Sequence, residues 1–379
     1  MQKKNQNAIA WLPEGNKKRS NTILVVGLFV LATAFAWWFW LSYLGASVLA
    51  FSFYFNNDSK SLLIGGAGST TESQASIIPR RLDGVLVDRD KANFWPYAVM
   101  IENLLSTRPQ SGLSQAGVVY ETLAEGGSTR FLAVFDPGEI ISEIMPVRSA
   151  RPYYLEWISE YGALYAHAGG SPQALTVIWE NPDINDLEAL SSDAKYFWRD
   201  RTKYAPHNLV TSSEKMNFAL RDKELLDKKA DFHSWKFKDE AVVEERGEDG
   251  KTIAFNFSYG RTYQVDYVYN KENNNYERYN AGLVHKDKNT DEQIKVKNVI
   301  VQIVREPILK GGKGRLDIYV GGEGKAWIFR DGQVIEGTWQ KGSRTDRTLF
   351  YDLEGREVSL NRGNTWVHVL PETQEVVYK

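Results

Sequence analysis

Cysteine is absent from all 379 residues. That absence removes a disulfide framework, a thiolate zinc site, a thiol nucleophile and a lipidated cysteine together. The fold must therefore be held by its core. Histidine is scarce as well: the five (His167, His207, His233, His285 and His368) show no metal-ligand spacing, and neither a metal nor a cofactor is expected. GxSxG, HExxH, a Walker loop and a strand–GxGxxG–helix unit are all missing, so hydrolase, zincin, NTPase and dinucleotide readings lose their usual support. There is no repeat, heptad or low-complexity core segment. Positive charge is not in surplus either, with 46 Lys and Arg against 48 Asp and Glu, a net charge of −2. Residues 1–20 hold +4 of that total and residues 21–79 hold −1, which leaves −5 for the chain from Arg80 onward. A mildly acidic body argues against nucleic acid as a partner.

Against these absences stands one long apolar run. Thr22 to Phe55 carries no formal charge and is entered from Lys17-Lys18-Arg19. A hydrocarbon layer about 30 Å thick needs roughly 20 apolar residues of helix, and residues 22–45 supply a transmembrane span. The basic tail, residues 1–21, belongs inside by the positive-inside rule, and Trp37, Trp38, Trp40 and Tyr43 gather where aromatic rings favour the outer interface. The expected localisation is the cytoplasmic membrane, single-pass, with the C-terminal bulk outside. A cleaved signal peptide is the alternative, since Val48-Leu49-Ala50 ends like a cleavage site. Its apolar region would be much longer than export signals use.

Residues 56–79 turn to Ser, Gly, Thr and Asn and read as a flexible tether. The fold class expected beyond it is α+β. Residues 80–237 alternate strand-like runs (97–102, 118–123, 130–135, 163–168) with helical ones after Pro152, Ser171-Pro172 and Ser212-Ser213, a mixed α/β domain. Residues 251–379 are dominated by short strands separated by turns such as Asp331-Gly332 and Glu354-Gly355, a β-rich domain of sandwich or barrel type. The charged stretch 238–251 is the expected linker.

Polar residues crowd the element ends of the first domain. Arg108, Arg130, Arg148, Arg151 and Arg199 offer guanidinium forks suited to carboxylate or phosphate, and internal pairing with Glu121, Glu125 or Glu156 is the competing role. His167 leads into Gly169-Gly170-Ser171, a strand–turn–helix corner whose exposed N–H groups favour an anion. The same glycines can simply make the turn. His207 and Asn208 follow Pro206 in a loop. As acid–base candidates the chain offers Glu121, Glu125, His167 and His207. Trp327, Trp339 and Trp366 either line a surface that binds glycans or proteins, or fill the core.

Several long motifs carry a family resemblance. Arg108-Pro109-Gln110-Ser111-Gly112-Leu113, Glu125-Gly126-Gly127, Pro146-Val147-Arg148-Ser149-Ala150-Arg151-Pro152, His167-Ala168-Gly169-Gly170-Ser171-Pro172 and Asn361-Arg362-Gly363-Asn364-Thr365-Trp366 resemble the YerB-type family of bacterial envelope lipoproteins. The resemblance runs from about Arg80 to the end. It implies a two-part extracytoplasmic domain of unknown function, with no established reaction and no agreed catalytic residues. Members are typically held by a lipidated cysteine, which this chain lacks, so its apolar span would serve instead. The expected role is a membrane-anchored module that binds a cell-wall precursor or envelope protein, or an anionic ligand, in wall assembly or its regulation. The alternative is an envelope hydrolase or transferase using the Glu and His residues named above.

Overall fold

In the first domain, three stretches read as nearly uninterrupted apolar runs, and each becomes a strand buried along its whole length: Tyr97–Glu102 (β1), Val118–Leu123 (β2) and Thr129–Phe135 (β3). Strands covered on both faces have no reason to alternate. The computed structural model describes residues 76–309 and 313–379. The basic tail, the 22–45 span and nearly all of the 56–79 tether lie outside the described residues. Among the described residues no helix is long and apolar enough to cross a membrane.

The described chain is mostly β, and its strands combine across the two halves. Further strands are Leu164–His167 (β4), Asp186–Glu188 (β5), Thr252–Asn256 (β6), Gln264–Asn270 (β7), Asn275–Asn280 (β8), Asn298–Val304 (β9), Gly322–Arg330 (β10), Gln333–Lys341 (β11), Leu349–Asp352 (β12) and Thr365–Pro371 (β13). Ten of the strands form one sheet in the order β12-β11-β10-β9-β13-β2-β3-β1-β4-β5. The late strand β13 lies between β9 and β2 and runs parallel to both, pairing Trp366 with Val119 and His368 with Glu121. The two halves named from the sequence thus meet in a shared sheet rather than across a free linker. Within residues 238–251, Gly247 N–H donates to the Asp331 carbonyl at 2.8 Å.

One face of this sheet carries Pro152–Tyr161 (α1), whose Trp157 stacks on Tyr120 with ring centroids 4.9 Å apart. Pro152 opens α1, and Gly162, at φ +58°, closes it. The helix Pro172–Glu180 (α2) starts at Ser171, whose hydroxyl accepts from Ala174 N–H, and Ser213–Asp222 (α3) starts at Ser212, which accepts from Lys215 N–H. Both are the caps the sequence offers. Helix α3 ends short of Lys228, beside Glu224 at φ +58°. The opposite sheet face is covered by a second sheet built on β8, β7 and β6. There Arg278 of β8 lies over the Trp366 ring at 4.8 Å.

Candidate functional site

Strands β1 and β4 are parallel and end on the same side, at Glu102 and His167. The segment after Met145 crosses those ends: Arg148 N–H donates to the Met100 carbonyl, Ala168 N–H to the Arg148 carbonyl, and Ala150 N–H to the Gly169 carbonyl. Ligands in open α/β sheets favour this crevice beyond the carboxyl ends of parallel strands. The sequence-predicted polar residues gather here.

Arg148 Nε stands 2.9 Å from Glu102 Oε1, and His207 Nδ1 stands 2.6 Å from Glu102 Oε2. Arg199 donates to Asn208 Oδ1 at 2.7 Å, fixing the loop that carries His207. Arg151 grips Glu125 with two donors, Nη2 at 2.8 Å and Nε, while Arg130 reaches the same carboxylate at 3.3 Å and the Ser149 carbonyl at 2.8 Å. Burial would raise Glu125, but Arg151 and Arg130 outweigh it and hold its carboxyl below the ordinary value. Arg108 donates to Asn103 Oδ1 and, across to the second half, to the Thr262 carbonyl. Burial and the neighbouring Arg278 lower Arg108 to about 10. Its Nη1 is buried without a hydrogen-bond partner.

His167 is fully buried and makes 2.9 and 2.6 Å contacts with the Gly169 carbonyl and Asp186 Oδ1. Gly169, at φ +64°, makes the turn and donates its N–H to Glu188 Oε1. Gly170 bridges to Ala150, and a Cβ there would meet Leu175 at 2.9 Å. With the Ser171 hydroxyl occupied by Ala174 N–H, this corner is knitted to itself. The strand ends thus carry Arg108, Arg130, Arg148, Arg151, Arg199, His167, Gly169, Gly170, Ser171, His207 and Asn208, with Glu125 between Arg151 and Arg130 and Glu102 between Arg148 and His207. Four carboxylates, Glu102, Glu125, Asp186 and Glu188, lie in direct contact with these groups.

Glu121 is the exception. It is fully buried between the sheets, ion-paired with Arg278 at 2.7 Å, and accepts from Asn103 at 3.0 Å and Thr129 at 2.8 Å. Arg278 also contacts His285 Nδ1, His285 Nε2 meets Gln110 Oε1 at 3.0 Å, and Gln110 donates to Asn103 Oδ1 at 3.1 Å, closing a ring of polar groups. On the other side His368 Nδ1 lies 3.2 Å from Glu121, and Tyr267 hydroxyl meets His368 Nε2 at 2.8 Å. Sequence reasoning missed Arg278 and His285 as members of this network. The signal for Arg278 is the period-two placement of Tyr276, Arg278 and Asn280, which alternate as buried residues along β8; His285, beyond that strand, has none.

Burial, with Arg278 and Arg108 adding to it, drives His285 well below its ordinary value and keeps the ring neutral. Burial likewise lowers His368, although Glu121 beside it pulls the other way. Unfolded histidine titrates near 6.5, so below that value the unfolded chain binds protons that these two rings refuse. Stability is then fully present above about pH 6.5 and falls as the pH drops. His285, held well below that value, is expected to remove up to about 1.4 kcal/mol between about pH 7.5 and about pH 5.5, and His368 adds to the loss in the same direction. Urea unfolding across that range checks this, and a flat profile would overturn it.

Among the described residues no group of three or more His, Asp or Glu could hold a metal. Trp339 and Trp366 are core residues, and only Trp327 of the three is partly open.

A β-rich, two-part chain, with an arginine-bearing shelf at its strand ends and a sealed polar network between its sheets, defines the class of protein, and comparison with known proteins gives that class a family. Residues 82–226 match the N-terminal domain, and residues 253–367 the C-terminal domain, of a protein family of unknown function, DUF3048. The chain belongs to that family. It is 28% identical over 299 residues to a Bacillus subtilis (strain 168) protein described as "Putative lipoprotein YerB", covering 77% of this chain and 86% of that protein. The crystal structure of the YerB protein from Bacillus subtilis superposes with a TM-score of 0.69 at 27% identity, covering 79% of this chain and 99% of that one.

Proposed function

We propose that this chain is a membrane-tethered extracytoplasmic binding module whose shelf recognises an anionic group on a cell-envelope partner. The lipoprotein description of its Bacillus subtilis relative supports a place at the membrane. Here residues 22–45 replace the lipid, with the N-terminus inside and the folded part outside, held on the 56–79 tether. A tether of this kind raises the effective concentration of the module near the membrane and so favours partners located there.

The observation that carries the reading is convergence. Arg108, Arg130, the Arg148–Arg151 pair and Arg199 come from four stretches of sequence, and hydrogen bonds or ion pairs to Asn103, Ser149, Glu125, Glu102 and Asn208 hold them near the same strand ends. Guanidiniums already oriented by packing lose less entropy on binding than free ones. An incoming carboxylate or phosphate would exchange with Glu125 or Glu102. The acid–base alternative has less support, because Glu121 is sealed and Glu125, His167 and His207 are each engaged inside the fold.

The test is proximity crosslinking with mass spectrometry on the full-length chain in its native membrane, comparing wild type with Arg148→Ala/Arg151→Ala. Thermal unfolding first establishes that the variant folds. The expected outcome is at least a roughly tenfold loss of one crosslinked envelope species, in line with truncation of buried charge-assisted contacts. An unchanged set of crosslinks moves the binding surface away from the shelf.

A further inference from the structure

A cleft lies far along the sheet from the arginine shelf, among residues of β9, β10 and β11. It has a volume of about 700 Å³, and Tyr319 and Trp327 line it. A second cleft of about 310 Å³ shares Tyr319 and Gly321 with the first and continues to Pro152 and Tyr153 at the start of α1. The two clefts adjoin at Tyr319 and form the two parts of a groove.

Three glycines shape its floor. The Tyr319 side of Gly321 and Gly322 is filled by the tyrosine ring itself, since a Cβ on either would meet that ring or its hydroxyl at 3.4 to 3.5 Å. Tyr319 is nevertheless 63% exposed, so the ring is supported by backbone on one side and open on the other. At Gly324 a Cβ would lie 2.6 Å from Trp339 Nε1. The glycine lets Trp339 sit beneath the floor, where its Nε1 donates to the Ile303 carbonyl at 2.7 Å. Around this floor the rim carries Arg305 and Lys325 against Glu323 and Glu372, two charges of each sign.

We infer that this groove binds an extended glycan strand. A sugar ring has an apolar face of C–H groups and an edge of hydroxyls, which matches supported, open aromatic faces ringed by donors and acceptors of both kinds. An acyl chain would leave the four rim charges desolvated and without partners. A polyanion would gain nothing from a rim without net charge. The two adjoining clefts give length for several consecutive sugars. This inference stands apart from the arginine shelf and does not require it.

The experiment is calorimetric titration of the full-length protein in nanodiscs with a soluble β-1,4-linked hexamer of N-acetylglucosamine, with tryptophan fluorescence followed in parallel. Binding should weaken at least roughly tenfold in Tyr319→Ala and in Trp327→Ala, as loss of a stacking ring implies, and stay unchanged in Tyr259→Ala, a fully exposed ring elsewhere. Because Tyr319 is exposed, its variant is expected to fold as the wild type does, which a melting curve verifies. Absence of binding, or binding that survives loss of both rings, overturns the inference. So does an unstructured hexapeptide that binds in a Tyr319-dependent manner when the sugar hexamer does not. Retention of shelf-dependent crosslinks alongside a failed titration removes the groove and leaves the shelf reading intact.

Discussion

Glu121→Ala is expected to lower the unfolding free energy by roughly 3–5 kcal/mol, the range seen when one member of a buried ion pair is removed. The carboxylate and the Arg278 guanidinium are both fully buried, so no solvent replaces the lost partner. Asn103 and Thr129 lose an acceptor at the same time. Burial alone would raise Glu121, but Arg278 and His368 overcome it and keep the group below the usual carboxylate value. Its contribution is accordingly complete above the unfolded value of about 4.3 and is lost as the pH falls through the lower folded one. The variant should therefore show a shallower acid limb than the wild type. Replacing the pair together, Glu121→Leu with Arg278→Met, is expected to recover only part of the loss, because the other polar groups of the ring stay buried. Urea unfolding of the three proteins measures all of this. A loss under about 1 kcal/mol for Glu121→Ala would mean that water reaches the pair.

The strands and helices of the first domain were largely legible because their signals are local. Apolar runs marked β1, β2 and β3, and Ser171 and Ser212 marked helix starts that the structure keeps. Strand β8 escaped for a physical reason. Its sequence, Asn275-Tyr276-Glu277-Arg278-Tyr279-Asn280, reads as a polar surface, yet Arg278 and Asn280 face inward. Arginine in a core becomes sensible only when Glu121 stands opposite, 157 residues earlier in the chain. In the second domain only Leu316–Asp317 is strand before Tyr319, which projects into solvent. The site residues follow the same rule. Arginine and glutamate at element ends could be named from sequence, and their gathering on one shelf depends on the crossing of residues 147–151 over the ends of β1 and β4. The insertion of β13 beside β2 is wholly non-local, and no spacing in the chain announces it.

Glu160→Ala is expected to be as damaging as Glu121→Ala, on the opposite face of the same sheet. Glu160 lies on α1 with Lys341 Nζ at 3.0 Å and Arg347 Nη1 at 2.9 Å, all three side chains almost fully buried. Thr348 hydroxyl donates to the same carboxylate at 2.6 Å. Two cations surround one anion, so removing the anion leaves both positive groups facing each other in a poorly solvated space. Part of that charge is spread over neighbours: Lys341 also donates to the Arg344 and Asp346 carbonyls, and the Arg347 guanidinium lies 3.6 Å from the centre of the Trp235 ring. Despite burial, Tyr120, Tyr161 and Glu160 keep the Arg347 guanidinium above its ordinary value. The expected cost is roughly 3–5 kcal/mol, with Glu160→Gln losing less because it retains an acceptor for Thr348. In both buried networks the carboxylate comes from the first half of the chain and its cations from the second. Each half alone would therefore bury an uncompensated charge, which couples their folding. Equilibrium unfolding of Glu160→Ala followed by tryptophan fluorescence and by far-ultraviolet dichroism should lower both transitions together. Separate transitions, with one half keeping its wild-type midpoint, would show that the networks do not bind the halves into one cooperative unit.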